Sequence, residues 1–515
     1  MTSAEKDILL LEKDALLLEL QKQNTEQQKQ IEELKFQLDQ LRKLVFGSKR
    51  ERVVLSTDSS QGNLFGEYDS NLNEAEHSIE EKIVKKVKPS RKGIRRNAFP
   101  SQLPRVEQYI YPEGFDEQND QIIGEDVTEI LDYKAATLSV KKIIRPIYKT
   151  KEEKIIQAPI PPRIIPKGMV DESVIAQIIN EKIQHHTPLY RQAKKLKQQG
   201  LSFIKKSNLE NWFSKGIDAL IPLYNLHEQE VLDQDYLQVD ESGIKVLQKN
   251  KRGSAHRGQM WVANDPIDKR VLFRYNPSRS NEAGISFLKG YTGSYLQSDG
   301  YSVYENIAKA KQISLIYCAA HARRKFKEAL DKKEHPKLCE QGLSFYQKLY
   351  ALERAFRESE LSDKQRKQER KKLAIPILEK FKDWLEIQLK NQEILPNDRL
   401  AKAITYTYKR WSGLIAYCED GRLEIDNNLV ENTIRPLALG RKNYLFAGSD
   451  YGAQNLAIGY SLVNTCIKNN INPEKYLCWV FKRIANNKVD DNAKTWLPQN
   501  LSHQNYQKLK IEDGV

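Results

Sequence analysis

A chain of 515 residues is longer than one hydrophobic core supports and should divide into several domains. Its 83 Lys+Arg against 69 Asp+Glu leave a formal charge of +14, which favours a polyanionic partner, with nucleic acid the first suspect. The opening MTSAEKDILLLEKD mixes Glu and Lys with its leucines, no apolar run reaches membrane-spanning length, and the five cysteines lie from Cys318 onward without a CxxC pair; this argues against a signal peptide, a membrane protein, a disulfide framework and a zinc ribbon, and the expected compartment is the cytosol.

Leu10, Leu17, Ile31, Leu38 and Val45 at one seam position and Leu20, Leu34 and Leu41 at the other alternate spacings of three and four. This heptad pattern predicts an oligomerising coiled coil over 5–46, with Asn24 and Gln27 as polar seam residues that fix register. A long amphipathic helix lying on its own protein has the same pattern. The stretch 47–98 loses periodicity, is polar and then basic, and reads as a flexible linker; no acidic residue occurs from Lys82 to Arg96. Its Lys85, Lys86, Arg95 and Arg96 are either a solvated tail or DNA-phosphate contacts. Over 99–156, VTEILDYKAATLSVKKIIRPIYKT has the alternation of strands and predicts a small β domain, followed by the proline-rich connector QAPIPPRIIPKG.

PLYRQAKKLKQQG, a short LSF break and IKKSNLENWFSKGIDAL (Ile204 to Leu220) predict a helix-turn-helix within 168–225. Its second helix would begin near Lys205 and Lys206, offer Asn208 and Asn211 to base edges, and turn Leu209, Trp212 and Phe213 inward. An ordinary helical hairpin fits the spacing too.

From Asp235 the pattern is three antiparallel strands (DYLQVDESGIKVLQ, GQMWVAND, KRVLFRYNP), a helix (NEAGISFLKGY), a strand (SYLQSDGYSVY), and a strand running into a helix (ISLIYCAAHARRKFKEAL). That order is the one found in a ribonuclease-H-like α/β sheet. It predicts a core over 232–330 in which Asp240, on the first strand, and Asp299, at the end of the fourth, face each other across neighbouring strands. Two such carboxylates repel unless a cation lies between them, and Mg2+ prefers oxygen ligands. Glu431, opening a later helix after Asp426, Asn427 and Asn428, is the best third ligand for a two-ion site acting on phosphodiesters. Each residue also has a structural alternative. Asp299-Gly300 fits a turn, Asp240-Glu241 a solvated strand end, and Asn428 to Glu431 a capping box.

The blocks LRKLVFGSKRER, PLYRQ, LENW, VDES, LQSDGY, AHARRKF, GRLEIDNNLVENTIRP and ALGRKNYLFAGSDYG, in this order, resemble those of the insertion-sequence-66 family of DDE transposases over nearly the whole chain. The resemblance implies a multidomain α/β protein with a ribonuclease-H-like catalytic core, a helical insertion over 331–420, the last part of the core over 421–450 and a C-terminal helical region over 451–515. It implies Asp240, Asp299 and Glu431 as catalytic, metal-binding residues holding two Mg2+ ions, which Mn2+ can replace. By it His321, Arg323 and Arg324 fit a family block that would approach DNA or the metal site, with a role on the helix surface as the alternative, and Arg435, Arg441 and Lys442 would neutralise the scissile DNA around Glu431. The implied partners are double-stranded DNA of the element ends and target, further copies of the chain, and accessory proteins of the element, in a bacterial, nucleoid-associated setting without a membrane. The implied activity is metal-dependent cleavage of element ends and strand transfer. A nuclease of the same fold and a non-catalytic or domesticated DNA-binding regulator are the rival readings. Two features depart from the family. YPEGFDEQNDQIIGEDVTEI has no cysteine or histidine where a zinc finger is usual, so no zinc is expected, and Asn432 follows Glu431 where Arg is usual.

Overall fold

The computed structural model describes residues 143, 147–149, 155–157, 161–248, 254–487 and 489–511. The expected coiled coil over 5–46, the linker over 47–98 with Lys85, Lys86, Arg95 and Arg96, and most of 99–156 lie outside the described residues. From the last region one antiparallel pair is described, β1 (Ile147–Lys149) with β2 (Ile155–Gln157), Tyr148 opposite Ile156.

Asp171 starts the first helix, α1 (Glu172–Ile183), by accepting the Ser173 N–H on its carboxylate at 3.2 Å. A helix, a break and a second helix follow, α2 (Leu189–Gln198) and α3 (Lys206–Leu232), with Leu209, Trp212 and Phe213 buried as their spacing predicts. The second helix runs past the expected end at Leu220 and past residue 225. Leu223, Tyr224, Leu226 and Val231 keep the apolar stripe going, and their packing outweighs the donor lost at Pro222. Its last turns are bonded to the sheet: the Tyr224 hydroxyl donates to the Phe273 carbonyl at 2.7 Å, and His227 Nε2 lies 2.8 Å from the Val271 carbonyl oxygen. The helical hairpin and the sheet thus share one hydrophobic core.

The sheet has five strands in the order β5-β4-β3-β6-β7: β3 (Tyr236–Leu247), β4 (Ala255–Asp265), β5 (Arg270–Asn276), β6 (Tyr295–Ser298) and β7 (Ser314–Tyr317). The first three are antiparallel, while β6 is parallel to β3 and β7 is parallel to β6. Parallel neighbours need a crossover, and α4 (Asn281–Phe287) and α5 (Ser302–Lys311) supply it.

After β7 the chain enters α6 (Ala319–Asp331) and then the insertion: α7 (Pro336–Glu358), α8 (Asp363–Glu369), a π-helical turn (Arg370–Ala374), α9 (Ile375–Leu389), α10 (Arg399–Lys409) and α11 (Trp411–Ile415). The expected helical character of 331–420 is observed. A second core forms here around Phe326, Tyr346 and Phe381, with Phe345 stacked on Phe381 at 4.6 Å between centroids. The fully buried Arg370 donates to both carboxylate oxygens of Glu353, at 2.8 and 2.7 Å. Its guanidinium also reaches the carbonyls of Tyr417, Asp420 and Leu423, at 2.8, 2.9 and 2.9 Å, and so fastens the strand of chain that returns to the sheet.

The returning chain forms α12 (Asn428–Tyr444), α13 (Asp450–Lys468), α14 (Pro473–Asn486) and α15 (His503–Leu509). The edge strand β5 is covered by α13: the Phe273 N–H donates to Ser461 Oγ at 2.8 Å and the Val271 N–H to Thr465 Oγ1 at 3.1 Å. Among the described residues no helix is long and apolar enough to cross a membrane.

Candidate active site

The parallel strands β3 and β6 carry the same pattern, Leu237-Gln238-Val239-Asp240 and Leu296-Gln297-Ser298-Asp299, with Leu237 opposite Leu296 and Gln238 opposite Gln297. Side chains two apart share a face, so Gln238 and Asp240 lie on one side of β3 with Gln297 opposite Gln238, and Asp299, just past the end of β6, comes near enough for its charge to raise Asp240. Asp240 stands within β3 and is only 9% exposed, so the solvated strand end is not what it occupies. Its neighbour Glu241 points to the opposite face, where it takes the Tyr304 hydroxyl at 2.8 Å and pairs with Arg279. Asp299 directly follows β6 and does make a turn, accepting the Tyr301 N–H at 3.0 Å, with Gly300 at φ +92°.

The two glutamines position the third carboxylate, a role the residue pattern did not reveal. Gln238 Nε2 donates to the Asp426 carbonyl at 3.0 Å and to Gln297 Oε1 at 2.9 Å, and Gln297 Nε2 donates to the Glu424 carbonyl at 2.8 Å. The segment before α12 is therefore laid across β3 and β6, and Glu431, in the first turn of α12, comes close enough to Asp240 and Asp299 for their charges to act on one another. The two carboxylates just before α12 are engaged elsewhere. Glu424 lies 3.8 Å from both Arg357 and Arg366, and Asp426 accepts the Tyr350 hydroxyl at 2.7 Å and the Asn428 N–H at 3.1 Å. Asn428 does not cap α12, whose N-cap Asn427 makes no side-chain cap bond, and Glu431 Oε1 is buried with no hydrogen-bond partner among the described residues.

A cleft of about 320 Å³ opens beside Asp299, lined by Gly300, Tyr301, His321, Arg324, Lys325, Glu328 and Tyr406. The α6 members recur at three, four and seven residues after His321, which is one helical face. The insertion supplies the opposite wall. The Tyr406 hydroxyl donates to the Asp299 carbonyl at 2.7 Å, Arg410 donates to the Gly300 carbonyl at 3.2 Å, and the Tyr406 ring has Arg410 at 4.2 Å and Lys325 at 4.6 Å. A Cβ at Gly300 would lie 2.6 Å from Arg410 Nε, so a side chain there would displace this contact.

Burial dominates the electrostatics. It pushes Asp240 well above the usual carboxylate range, helped by the charges of Glu241, Asp299 and Glu431, and it raises Glu431 to about 7 against the pull of Arg324. Burial with the charge of Arg324 lowers His321 to about 4. Three mutually repelling carboxyl groups, one with an unpartnered buried oxygen, fit a divalent cation with oxygen ligands.

The predicted DNA-contact residues divide. Lys205, Lys206 and Asn211 are exposed at the start of α3, Lys206 beside Glu210 at 3.0 Å. Asn208 departs from the expectation, because its amide oxygen accepts the Lys205 N–H at 2.9 Å and closes the helix start. Arg324 lines the cleft, whereas Arg323 lies off its lining; Lys325 takes part in its place and was not foreseen. On α12, Arg435 and Lys442 are exposed, but Arg441 is half-buried and donates to the Gly243 carbonyl on β3, so it serves packing. The far end of α12 meets α2 of the helical hairpin and the preceding α1, where Arg191 donates to Asn443 Oδ1 at 3.2 Å and Lys182 Nζ lies 4.7 Å over the Tyr444 ring.

Residues 167–455 match the family profile described as "Transposase IS66 family", a span that includes Asp240, Asp299 and Glu431. Residues 33–107 match a second profile, "Transposase C of IS166 homeodomain". The chain is similar to three proteins of Sinorhizobium fredii. "Uncharacterized protein y4jD" is 30% identical over 89% of this chain and 93% of its own length. "Uncharacterized protein y4hP" is 31% identical over 71% of this chain and 69% of its own, and "Uncharacterized protein y4qI" is 28% identical over 90% and 87%.

Proposed function

The chain belongs to the insertion-sequence-66 family of transposases, and from that membership we propose that it binds the ends of a mobile element and catalyses their metal-dependent cleavage and transfer to target DNA. The observation that carries this reading is that Asp240 on β3, Asp299 just past the end of the parallel β6 and Glu431 from a helix far downstream come close enough for their charges to act on one another. The sheet order with this placement is read as a ribonuclease-H-like core, interrupted by the helical insertion.

Asp240, Asp299 and Glu431 would hold the divalent ions, which when bound lower the pKa of an attacking water or hydroxyl and neutralise charge on the phosphodiester. Around them the chain's own groups bind and orient. Arg324 and Lys325 line the cleft and offer cations to the DNA backbone, without which an anionic pocket repels its anionic substrate. Tyr406 and Arg410 hold the Asp299-Gly300 turn by its carbonyls and so fix the second carboxylate. Exposed Lys205, Lys206 and Asn211 at the start of α3 serve end recognition, and α12 joins that hairpin to the carboxylate it carries.

The test is a two-stage assay with full-length protein, Mg2+ or Mn2+, a labelled duplex carrying an element end, and a second duplex as target. Nicking at the end followed by joining supports a transposase. Nicking without joining reduces the protein to a nuclease, and end binding without nicking to a regulator.

A further inference from the structure

His321 has no role in a site made of three carboxylates, yet its surroundings are unusual. Cys318, the N-cap residue of α6, accepts the Asn427 N–H on its sulfur at 3.4 Å and ties the start of α6 to the start of α12. One turn into each helix, His321 Nδ1 and Glu431 Oε1 stand 3.7 Å apart. That is too long for a hydrogen bond. Both atoms are buried, neither has a hydrogen-bond partner among the described residues, and Glu431 is only 5% exposed. An unpaired buried polar atom costs about 1–3 kcal/mol, so two that face each other without bonding call for a third body between them.

The separation selects which body. Two groups bridged by one water at ordinary hydrogen-bond lengths stand about 4.5 Å apart. Two ligand atoms on one ion, each about 2.0–2.2 Å away, stand about 3–3.5 Å apart. The observed gap is nearer the second and closes with a small side-chain rotation. The sulfur of Cys318, with His321 and Glu431, completes a group of donor atoms within 4.8 Å of one another, but that sulfur already accepts the Asn427 N–H. The nitrogen and the oxygen are the free pair.

We propose that His321 is a metal ligand, its Nδ1 joining Glu431 Oε1 on one of the divalent ions, so that the site is a mixed carboxylate and imidazole site. This rests on the reading of Asp240, Asp299 and Glu431 as a cation site. An imidazole nitrogen favours first-row transition ions over Mg2+, which prefers oxygen, so Mn2+ binds this protein more tightly than Mg2+ by a margin that depends on His321.

The test is pulsed EPR of Mn2+ bound to full-length, untagged protein in a buffer free of nitrogen ligands. Wild-type protein should show a ¹⁴N coupling to Mn2+ that becomes a ¹⁵N pattern when the protein is made with [¹⁵N]histidine; this arm needs no variant to fold. His321→Ala, checked by circular dichroism, should lose the coupling and bind Mn2+ about tenfold or more weakly. Mn2+ that binds wild-type protein and is lost in Asp240→Asn, but shows no histidine nitrogen, overturns the proposal and leaves the carboxylate site standing. A coupling that persists in His321→Ala overturns it too. No Mn2+ binding to wild-type protein overturns both this proposal and the carboxylate site.

Discussion

The hydroxyl of Tyr406 donates to the main-chain carbonyl of Asp299 at 2.7 Å, so a helix of the insertion grips the turn that carries the second carboxylate. The insertion is thereby part of the site. Tyr406→Phe deletes one hydrogen bond and keeps the ring that packs against Arg410, a loss of about 1 kcal/mol. Cleavage should slow by roughly fivefold with end binding unchanged. Arg410→Ala, which also removes the Gly300 and Glu305 contacts, should slow it further. Single-turnover cleavage rates measure both, and wild-type rates in both variants would show that the turn holds itself.

Burial raises the Glu431 carboxyl from its ordinary 4.5 to about 7. A folded-state pKa above the unfolded value means that the folded protein binds more protons between these two values. The stability this group contributes is therefore present below about 4.5 and lost as pH rises through about 7. Asp240, shifted the same way, adds to the loss. Metal-free protein should accordingly lose stability in this window as pH rises, and Mg2+ should restore more at pH 8 than at pH 5.5, because protons compete with the ion for the same oxygens. Thermal melts at both pH values, with and without Mg2+, decide this; equal Mg2+ effects would contradict it.

Arg370 and Glu353 form a buried pair that also binds three carbonyls of the returning chain. Arg370→Leu leaves Glu353 buried and unpaired and should destabilise the protein by about 3–5 kcal/mol, whereas Arg370→Leu with Glu353→Leu should recover part of that. Denaturant unfolding of the two variants measures the difference. Equal losses would mean that the carbonyl contacts, rather than the ion pair, carry the effect.

Asn208 and Asn211 should no longer behave alike. Asn208→Ala removes the bond that closes the start of α3 and should cost about 1 kcal/mol of stability. Asn211→Ala should leave stability within about 0.5 kcal/mol and weaken the preference for end DNA over random duplex. Competition binding alongside melts separates the two, and a loss of end preference from Asn208→Ala alone would reverse the assignment.

The strands around Asp240 and Asp299 were legible because their alternation is local, and so were the helical hairpin and the helical character of 331–420. Glu431 was legible as the acid opening a helix after two asparagines. What the residue pattern hid depends on partners far along the chain. Gln238 and Gln297 act on Glu424 and Asp426, although the repeated Leu-Gln-x-Asp on two strands was a signal open to reading. Arg441 looked like a DNA contact in a basic stretch, but its partner is the Gly243 carbonyl on a strand nearly two hundred residues earlier. Tyr406 and Arg410 reach the site only because the insertion folds back, and no periodicity within α10 records that docking.

Metal-dependent cleavage by Asp240→Asn, Asp299→Asn and Glu431→Gln, measured beside end binding in the same preparations, bears most directly on the three-carboxylate site. Each change keeps side-chain shape and removes one negative ligand. Cleavage should fall by about a thousandfold or more in all three, a loss on the order of 4 kcal/mol at the transition state, while end binding persists. Normal cutting by Glu431→Gln, with the two Asp variants inactive, would contradict the assignment of the third carboxylate, and normal cutting by all three would remove the site altogether.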